Sequence, residues 1–314
     1  MIWWIAGGIT LFIIITVFVT VWVCYKIAFY SPSKKRKQVY QSGPPQADIY
    51  RAHAEAMNKM IQDVRQLPCQ EVSITSYDGL TLRGRFFEYA PGAPIELMIH
   101  GYRGNSERDM SGGVLRAFRL GRSALLIDQR GCGRSDGNSI CFGVKEHRDC
   151  LDWVNFMVER FGRDVKIILT GISMGTSTVL MAAGKTLPKN VVGVLADCGF
   201  SSAKEIIKKC TKDMHLPPNL MYPFIKLAAK IFGHFDLDEY SPMEAMKTCK
   251  LPVLFFHGEA DTFVPCSMCE EIYRNCASPK QKLIVEGAAH AESYYKDTLN
   301  YDKALEIFIG GVIK

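Results

Sequence analysis

Short apolar runs recur along most of the chain, and they alternate with longer stretches in which apolar residues follow a helical period. The runs fall at residues 95–99, 123–128, 166–170, 191–197, 252–257 and 282–286. The clearest helical stretch is 144–161, where the apolar residues from Cys150 to Phe161 form one stripe. Apolar strands that alternate with helices are typical of a mostly parallel sheet covered on both faces. The pattern predicts an α/β fold.

Two further elements precede these runs. Residues 71–77 and 82–89 alternate apolar and polar side chains around Asp78-Gly79, which is a hairpin signal. Ahead of them, residues 46–66 predict a mostly polar helix. The folded domain is therefore expected to span residues 46–314.

The first 25 residues carry no charged side chain. About 20 apolar residues suffice to cross the hydrocarbon core of a bilayer as a helix, and Trp3, Trp4 and Trp22 lie near the ends of this segment, as aromatics at a membrane interface do. A cleaved signal peptide would have a basic start and a small-residue cleavage site, and neither is present. We interpret residues 1–25 as a transmembrane anchor, with a buried helix as the alternative.

A basic linker, residues 26–45, follows the anchor. Its positive charges are Lys26, Lys34, Lys35, Arg36 and Lys37, with no acidic residue among them. By the positive-inside rule, we expect these cations and the domain that follows them to lie on the cytoplasmic side of the membrane. The spacing of the eleven cysteines does not match a disulfide framework and fits a reducing compartment. An exported protein with an uncleaved anchor is the alternative.

The net charge of +6 comes almost entirely from this flank. The domain itself is close to neutral, so it has no electrostatic footprint for nucleic acid. The flank is a topology signal that can also touch anionic lipid headgroups.

The most informative motif is Gly171-Ile172-Ser173-Met174-Gly175, placed between an apolar strand and a helix-forming stretch. In that context Gly-x-Ser-x-Gly predicts a nucleophile elbow, a tight turn that presents the serine oxygen above the sheet. A serine nucleophile needs a base and a carboxylate that orients the base.

Two later residues stand in the required order, each just beyond a predicted strand. Asp261 follows the run 252–257, and His290 follows the run 282–286. We expect a catalytic triad of Ser173, Asp261 and His290. Asp197, at the end of the preceding strand, is the main rival for the acid, and Glu259 is a weaker one.

A tetrahedral intermediate needs N–H donors directed at its oxyanion. The amide of Met174, directly after the nucleophile, is one expected donor. The loop His100-Gly101-Tyr102-Arg103-Gly104 is expected to supply the other through Tyr102. An ordinary glycine turn is the alternative interpretation of this loop.

Together these motifs resemble the α/β-hydrolase superfamily, in its esterase, lysophospholipase and prolyl-oligopeptidase-like branch. The resemblance covers roughly residues 70–314 and rests on the His100-Gly101 loop, the elbow, and His257-Gly258-x-x-Asp261 followed by His290. It also includes Asp128–Gly137, which by resemblance is a structural loop beside the site. The long interval at about 200–250 implies a small helical cap over the serine.

The resemblance implies a serine hydrolase that cleaves carboxylic esters or thioesters, lipid-derived ones included. A serine peptidase or aminopeptidase of the same fold is the alternative, and acyl transfer to an alcohol would use the same triad. From another class, a catalytically silent, membrane-tethered binding protein would keep the fold without turnover.

The sequence contains no cofactor motif, and no metal site is expected. Gly131-x-Gly133 lacks the rest of a dinucleotide fingerprint. The C-x-x-C of Cys266 and Cys269 has no second ligand pair at zinc-site spacing, so we expect it on a helix after the Asp261 loop. The oligomeric state is not indicated by any pattern.

Overall fold

The computed structural model describes residues 2–32, 43 and 48–313. Its centre is a single eight-stranded sheet with the strand order β1-β2-β4-β3-β5-β6-β7-β8. The strands are β1 (Gln70–Thr75), β2 (Thr81–Phe87), β3 (Ile95–Ile99), β4 (Ser123–Asp128), β5 (Ile167–Ile172), β6 (Val191–Asp197), β7 (Val253–Gly258) and β8 (Lys280–Val285). β2 pairs antiparallel with β1 and with β4, and the other described strand pairs are parallel, so the predicted hairpin and the mostly parallel sheet are both confirmed.

Helices connect the strands and cover both faces of the sheet. They are α1 (Ile2–Ala28), α2 (Ala54–Arg65), α3 (Ser106–Arg119), α4 (Glu146–Phe161), α5 (Met174–Ala183), α6 (Ala203–Asp213), α7 (Pro218–Ala228), α8 (Pro242–Met246), α9 (Cys266–Asn275), α10 (Ser293–Lys296) and α11 (Thr298–Val312). A 3₁₀ turn, Asp48–His53, leads into α2. The predicted helix over 46–66 thus begins with a 3₁₀ turn, and residues 46 and 47 lie outside the described part of the chain.

The core strands are buried along their whole length because helices cover both of their faces. Every residue of β3 and of β4 is buried. Helix α4 turns Cys150, Val154 and Met157 into this core, as its apolar stripe predicts. The helix begins at Glu146, later than expected, because the Glu146 carboxylate accepts hydrogen bonds from the backbone N–H groups of Cys141 and Gly143.

Helix α1 differs from the other helices in how little of it touches the domain. Residues 3–19 are exposed, while Val21, Cys24 and Tyr25 are buried against the body. By length and composition α1 can cross a membrane, although signal sequences and the core helices of soluble proteins can be as long and as apolar. The helix extends three residues past the predicted anchor 1–25. Most of the predicted linker 26–45, including its four clustered cations at 34–37, lies outside the described residues.

Between β6 and β7 the chain forms α6, α7, a π-helical turn (Ala229–Gly233) and α8. This is the interval in which the resemblance implies a cap. Helix α7 packs on α1, and the ring of Phe232 in the π-helical turn lies 5.4 Å from that of Tyr25. The interval therefore links the domain to α1.

The turn between β5 and α5 brings two backbones into direct contact. A Cβ added at Gly175 would lie 2.0 Å from the carbonyl oxygen of Ile99, and one at Gly171 would lie 2.3 Å from the backbone of Gly175. Real side chains do not approach backbone atoms this closely. Glycine is therefore required on both sides of Ser173.

We expect Gly175→Ala to destabilise the fold by about 3 kcal/mol, because the added methyl group forces the backbones of β3 and α5 apart. Gly310→Ala in α11 is the matched control, since a Cβ there meets nothing within 4 Å and alanine favours helix by up to about 1 kcal/mol. Denaturant unfolding of the full chain in detergent measures both. Equal stability of the two variants would contradict the packing argument.

Candidate active site

Ser173 occupies the sharp turn between β5 and α5. Its backbone has φ +55° and ψ −120°, a conformation that non-glycine residues rarely adopt. The Ser173 N–H donates to the carbonyl oxygen of Asp197 at 2.9 Å, which ties the turn to the end of the neighbouring strand β6. This is the geometry of a nucleophile elbow, with the serine at the C-terminal edge of the sheet.

His290 and Asp261 lie beside this serine in a continuous hydrogen-bonded chain. Nε2 of His290 is 2.9 Å from Oγ of Ser173, and Nδ1 is 2.7 Å from Oδ2 of Asp261. An ionised Asp261 accepts from Nδ1–H, which leaves the lone pair of Nε2 for the serine hydroxyl. The structure thus brings together the three residues that the sequence singled out.

Asp261 is held in place and kept ionised by the groups around it. Its Oδ1 accepts from the backbone N–H groups of Phe263 and Val264 at 2.9 and 2.8 Å. Burial alone would raise the pKa of Asp261, but His257 and His290 stabilise the charge and lower the pKa to about 2. The carboxylate is therefore ionised across the neutral pH range.

Neither rival acid contacts His290. Oδ2 of Asp197 accepts from the hydroxyl of Tyr301 at 3.0 Å, and burial raises the pKa of Asp197. Glu259 is exposed, and its carboxylate accepts from the N–H of Gly287 at 3.3 Å. The geometry selects Asp261 as the partner of the histidine.

The loop that carries Tyr102 is fixed from two directions. His100 is fully buried, and it accepts from the Gln129 N–H through Nε2 and donates from Nδ1 to the Gly101 carbonyl. Burial lowers the pKa of His100, which agrees with this neutral tautomer. On the other side, the Tyr102 hydroxyl donates to the carbonyl of Ala28, and Arg103 donates to the carbonyl of Ile27, both at 2.8 Å. The loop is thereby bonded to the C-terminal end of α1, where helix carbonyls lack partners.

Met174 begins helix α5 and is fully buried. Its backbone N–H belongs to the first turn of the helix, where such groups have no intrahelical acceptor. Met174 and Tyr102 therefore stand on the two segments that flank Ser173. Their role as oxyanion donors remains a prediction.

Two cavities meet at the serine, and Ser173, Tyr102 and Phe263 line both of them. The first, called the polar cavity here, has a volume of about 670 Å³ and is lined by charged side chains that include Arg108, Arg116 and Lys209. The second, the apolar cavity, has a volume of about 450 Å³, and none of its lining residues is charged. The site can therefore hold a molecule whose polar part lies in the polar cavity and whose apolar part lies in the apolar cavity, with the serine between them.

Several residues of the site were not predicted from the sequence. The ring of Phe263 meets that of His290 edge-on at 5.0 Å, and Nε2 of His257 lies 3.4 Å from Oδ2 of Asp261. Tyr50 and Met57, which precede the sheet, line the polar cavity. The His257-Gly258-x-x-Asp261 motif could have identified His257. Tyr50 and Met57 could not be identified in this way, because their contacts join segments that are far apart in the sequence.

The predicted location of the C-x-x-C is confirmed, because Cys266 and Cys269 both belong to α9. All eleven cysteines lie in the described part of the chain, and each is a free thiol. Among the described residues, no cluster of His, Cys, Asp or Glu has the arrangement of a metal site.

Comparison with known proteins agrees with this architecture. A family model described as alpha/beta hydrolase fold matches residues 97–224. An esterase of Pyrococcus furiosus, Pf2001, superposes with a TM-score of 0.66 at 19% identity, covering 81% of this chain and 94% of the esterase. The chain has the α/β-hydrolase fold.

Two further proteins are similar over most of this chain. The uncharacterised protein YqkD of Bacillus subtilis is 29% identical over 266 residues, which cover 83% of this chain and 86% of YqkD. A puromycin-hydrolysing peptidase of Mycobacterium tuberculosis superposes with a TM-score of 0.62 at 18% identity, covering 79% of this chain and 39% of the peptidase. The esterase and the peptidase, whose activities differ, thus share their fold with this chain.

The charges of the Asp128–Gly137 loop are engaged within the fold. Arg130 donates to both carboxylate oxygens of Asp149 at 2.6 Å and also to Asp78. Asp128 accepts from the backbone N–H groups of Ser106 and Arg134. These bonds hold the loop that lies next to the Tyr102 segment.

We expect Asp261→Asn to reduce ester turnover on the order of 10³- to 10⁴-fold, because an amide cannot hold the imidazole in the tautomer that accepts the serine proton. Asp197→Asn should keep turnover within about tenfold, since burial already favours the neutral form of that carboxyl. Steady-state kcat on a soluble ester distinguishes the two. A larger loss from Asp197→Asn would make Asp197 the acid.

Proposed function

We propose that the protein is a membrane-anchored serine hydrolase that cleaves carboxylic esters or thioesters through an acyl-enzyme intermediate. The observation that carries this proposal is the hydrogen-bonded chain from Ser173 through His290 to Asp261, built on a strained turn at the edge of the sheet. The match to an α/β-hydrolase family model supports a hydrolase.

In this mechanism Oγ of Ser173 attacks the acyl carbonyl while Nε2 of His290 takes its proton. Asp261 stabilises the resulting imidazolium, and the backbone N–H groups of Met174 and Tyr102 stabilise the oxyanion. When the C–O or C–S bond of the substrate breaks, His290 returns the proton to the leaving group. Water then attacks the acyl-enzyme with the same proton transfers and regenerates the serine.

The charges of the polar cavity favour an ester over the substrate of an aminopeptidase. An aminopeptidase needs an ionised carboxylate free to bind the substrate ammonium group. Here Asp109 pairs with Arg108 and Asp213 with Lys209, while burial favours the neutral form of Asp197. Asp109, Asp213 and Asp197 are the carboxyl groups among the described residues that line the polar cavity.

A silent binding protein is the less favoured candidate. It would have no need of the strained backbone at Ser173, which costs on the order of 1–3 kcal/mol. Acyl transfer to an alcohol remains compatible with the same residues, and product analysis separates it from hydrolysis.

We further infer that α1 anchors the chain in a membrane with the domain on the cytoplasmic side. The exposed run of residues 3–19 supports this, because about 26 Å of helix at 1.5 Å per residue approaches the thickness of a hydrocarbon core. The basic residues that follow α1 in the sequence supply the orientation signal.

We expect Ser173→Ala to lower hydrolysis of p-nitrophenyl butyrate by about 10⁴-fold or more and to abolish labelling by a fluorophosphonate probe. Ser267→Ala, an exposed serine on α9, is the matched control and should retain both properties. Labelling that persists in Ser173→Ala would place the nucleophile elsewhere. A folded wild-type chain that neither labels nor turns over would favour the binding protein.

We expect a fluorescent-protein reporter fused to the C-terminus to fluoresce in bacterial cells, and an alkaline phosphatase reporter to be inactive, because the flanking cations retain that side in the cytoplasm. Changing Lys34, Lys35, Arg36 and Lys37 to Gln should shift the ratio of the two signals towards the phosphatase. A phosphatase that is active on the unmodified chain would contradict the orientation.

A further inference from the structure

The apolar cavity is bounded on one side by α1. Residues Val19, Thr20, Val23, Cys24, Ile27 and Ala28 line it, and their spacing places them along one face of the helix. The opposite wall comes from α6 and α7 of the cap interval, through residues such as Ile207 and Ile225. The cavity reaches from α1 to Ser173 and Met174, so the helix takes part in the space next to the nucleophile.

The part of α1 that lines the cavity is firmly attached to the domain. Phe29 is fully buried and packs edge-on against Phe142 and Phe235, with ring centroids 5.8 and 5.4 Å apart. The Tyr25 hydroxyl lies 2.6 Å from Oγ of Ser139. Together with the bonds from Tyr102 and Arg103, these contacts fix the helical wall relative to Ser173.

The same helix continues out of the domain as an apolar surface. Val19 and Val23 line the cavity and yet remain 49% and 39% exposed, so the cavity opens beside α1. Met214 and Leu216, from the end of the cap helix α6 and the segment after it, line the cavity and are also exposed. An apolar chain lying along α1 can therefore reach Ser173 through a mostly apolar path on which none of the described lining residues is charged.

We propose that the apolar cavity is the acyl-chain subsite of a membrane lipid ester, that α1 is one of its walls, and that the chain enters from the bilayer alongside α1. The polar cavity, on the other side of Ser173, then receives the alcohol part of the lipid. This inference rests on the proposed function, and it adds the substrate class and a role for the anchor in the site. A cavity of this size buries a drug-sized ligand and hence an acyl chain well beyond acetyl.

The test uses the full chain in phosphatidylcholine vesicles, with p-nitrophenyl acetate and p-nitrophenyl laurate as substrates. Val23→Trp fills the cavity from the α1 side. Val17→Trp is the matched control, because Val17 is on the same helix and equally exposed, at 38%, but does not line the cavity.

We expect Val23→Trp to lower kcat/KM for the laurate about tenfold or more, and to keep that for the acetate within about twofold, because only the long chain needs the blocked space. Val17→Trp should leave both values within about twofold. Equal kcat/KM for laurate in Val23→Trp and the wild type would overturn the inference. A folded wild-type chain that does not hydrolyse the acetate would instead overturn the proposed function.

A second measurement needs no variant. A fluorophosphonate with a long alkyl chain and a terminal diazirine is allowed to label Ser173 in the wild type and is then irradiated. We expect cross-linked peptides from Val19–Ala28 or from the cap helices α6 and α7. Cross-links confined to the polar cavity, at Tyr50 or Tyr295, would overturn the assignment even if Val23→Trp failed to fold.

Discussion

The direct contact between Gly175 and the carbonyl of Ile99 is the constraint on which the site depends. It lets helix α5 begin against the end of strand β3, and the loop His100–Gly104 follows that same strand end. One backbone contact therefore sets the distance between Ser173 and the loop that is expected to supply an oxyanion donor. The strained φ of Ser173 is maintained by this packing together with the hydrogen bond from its N–H to Asp197.

Two buried carboxyl groups near Ser173 show how surroundings separate the roles of like residues. Burial raises the pKa of Asp197, whose Oδ2 accepts a hydrogen bond from the hydroxyl of Tyr301. At Asp261 the neighbouring imidazoles of His257 and His290 outweigh burial and lower the pKa. The lowered pKa of Asp261 and its hydrogen bond to Nδ1 of His290 both favour this residue as the one that orients the imidazole.

The sheet and the central residues of the site could be predicted because both follow from local rules. Apolar runs gave the strands, and the elbow motif gave Ser173 because its backbone requires glycine on both sides. The start of α4 was not predicted, because the hydrogen bonds that the Glu146 carboxylate accepts from Cys141 and Gly143 leave no trace in the apolar periodicity. The docking of α1 was also beyond prediction, since it depends on pairs such as Tyr25 with Ser139 that are distant in sequence.

Helix α1 is one continuous helix whose two parts have different surroundings. Residues 3–17 are exposed, so any apolar sequence that remains helical would serve there. From Val21 onwards one side of the helix is docked, because Val21, Cys24 and Tyr25 are buried and the last carbonyls accept from Tyr102 and Arg103. Homologues should therefore vary freely in the first part of the helix and be restricted in shape in the second. The boundary between the two parts would mark, in an alignment, where the exposed part of the helix ends and its docking on the domain begins.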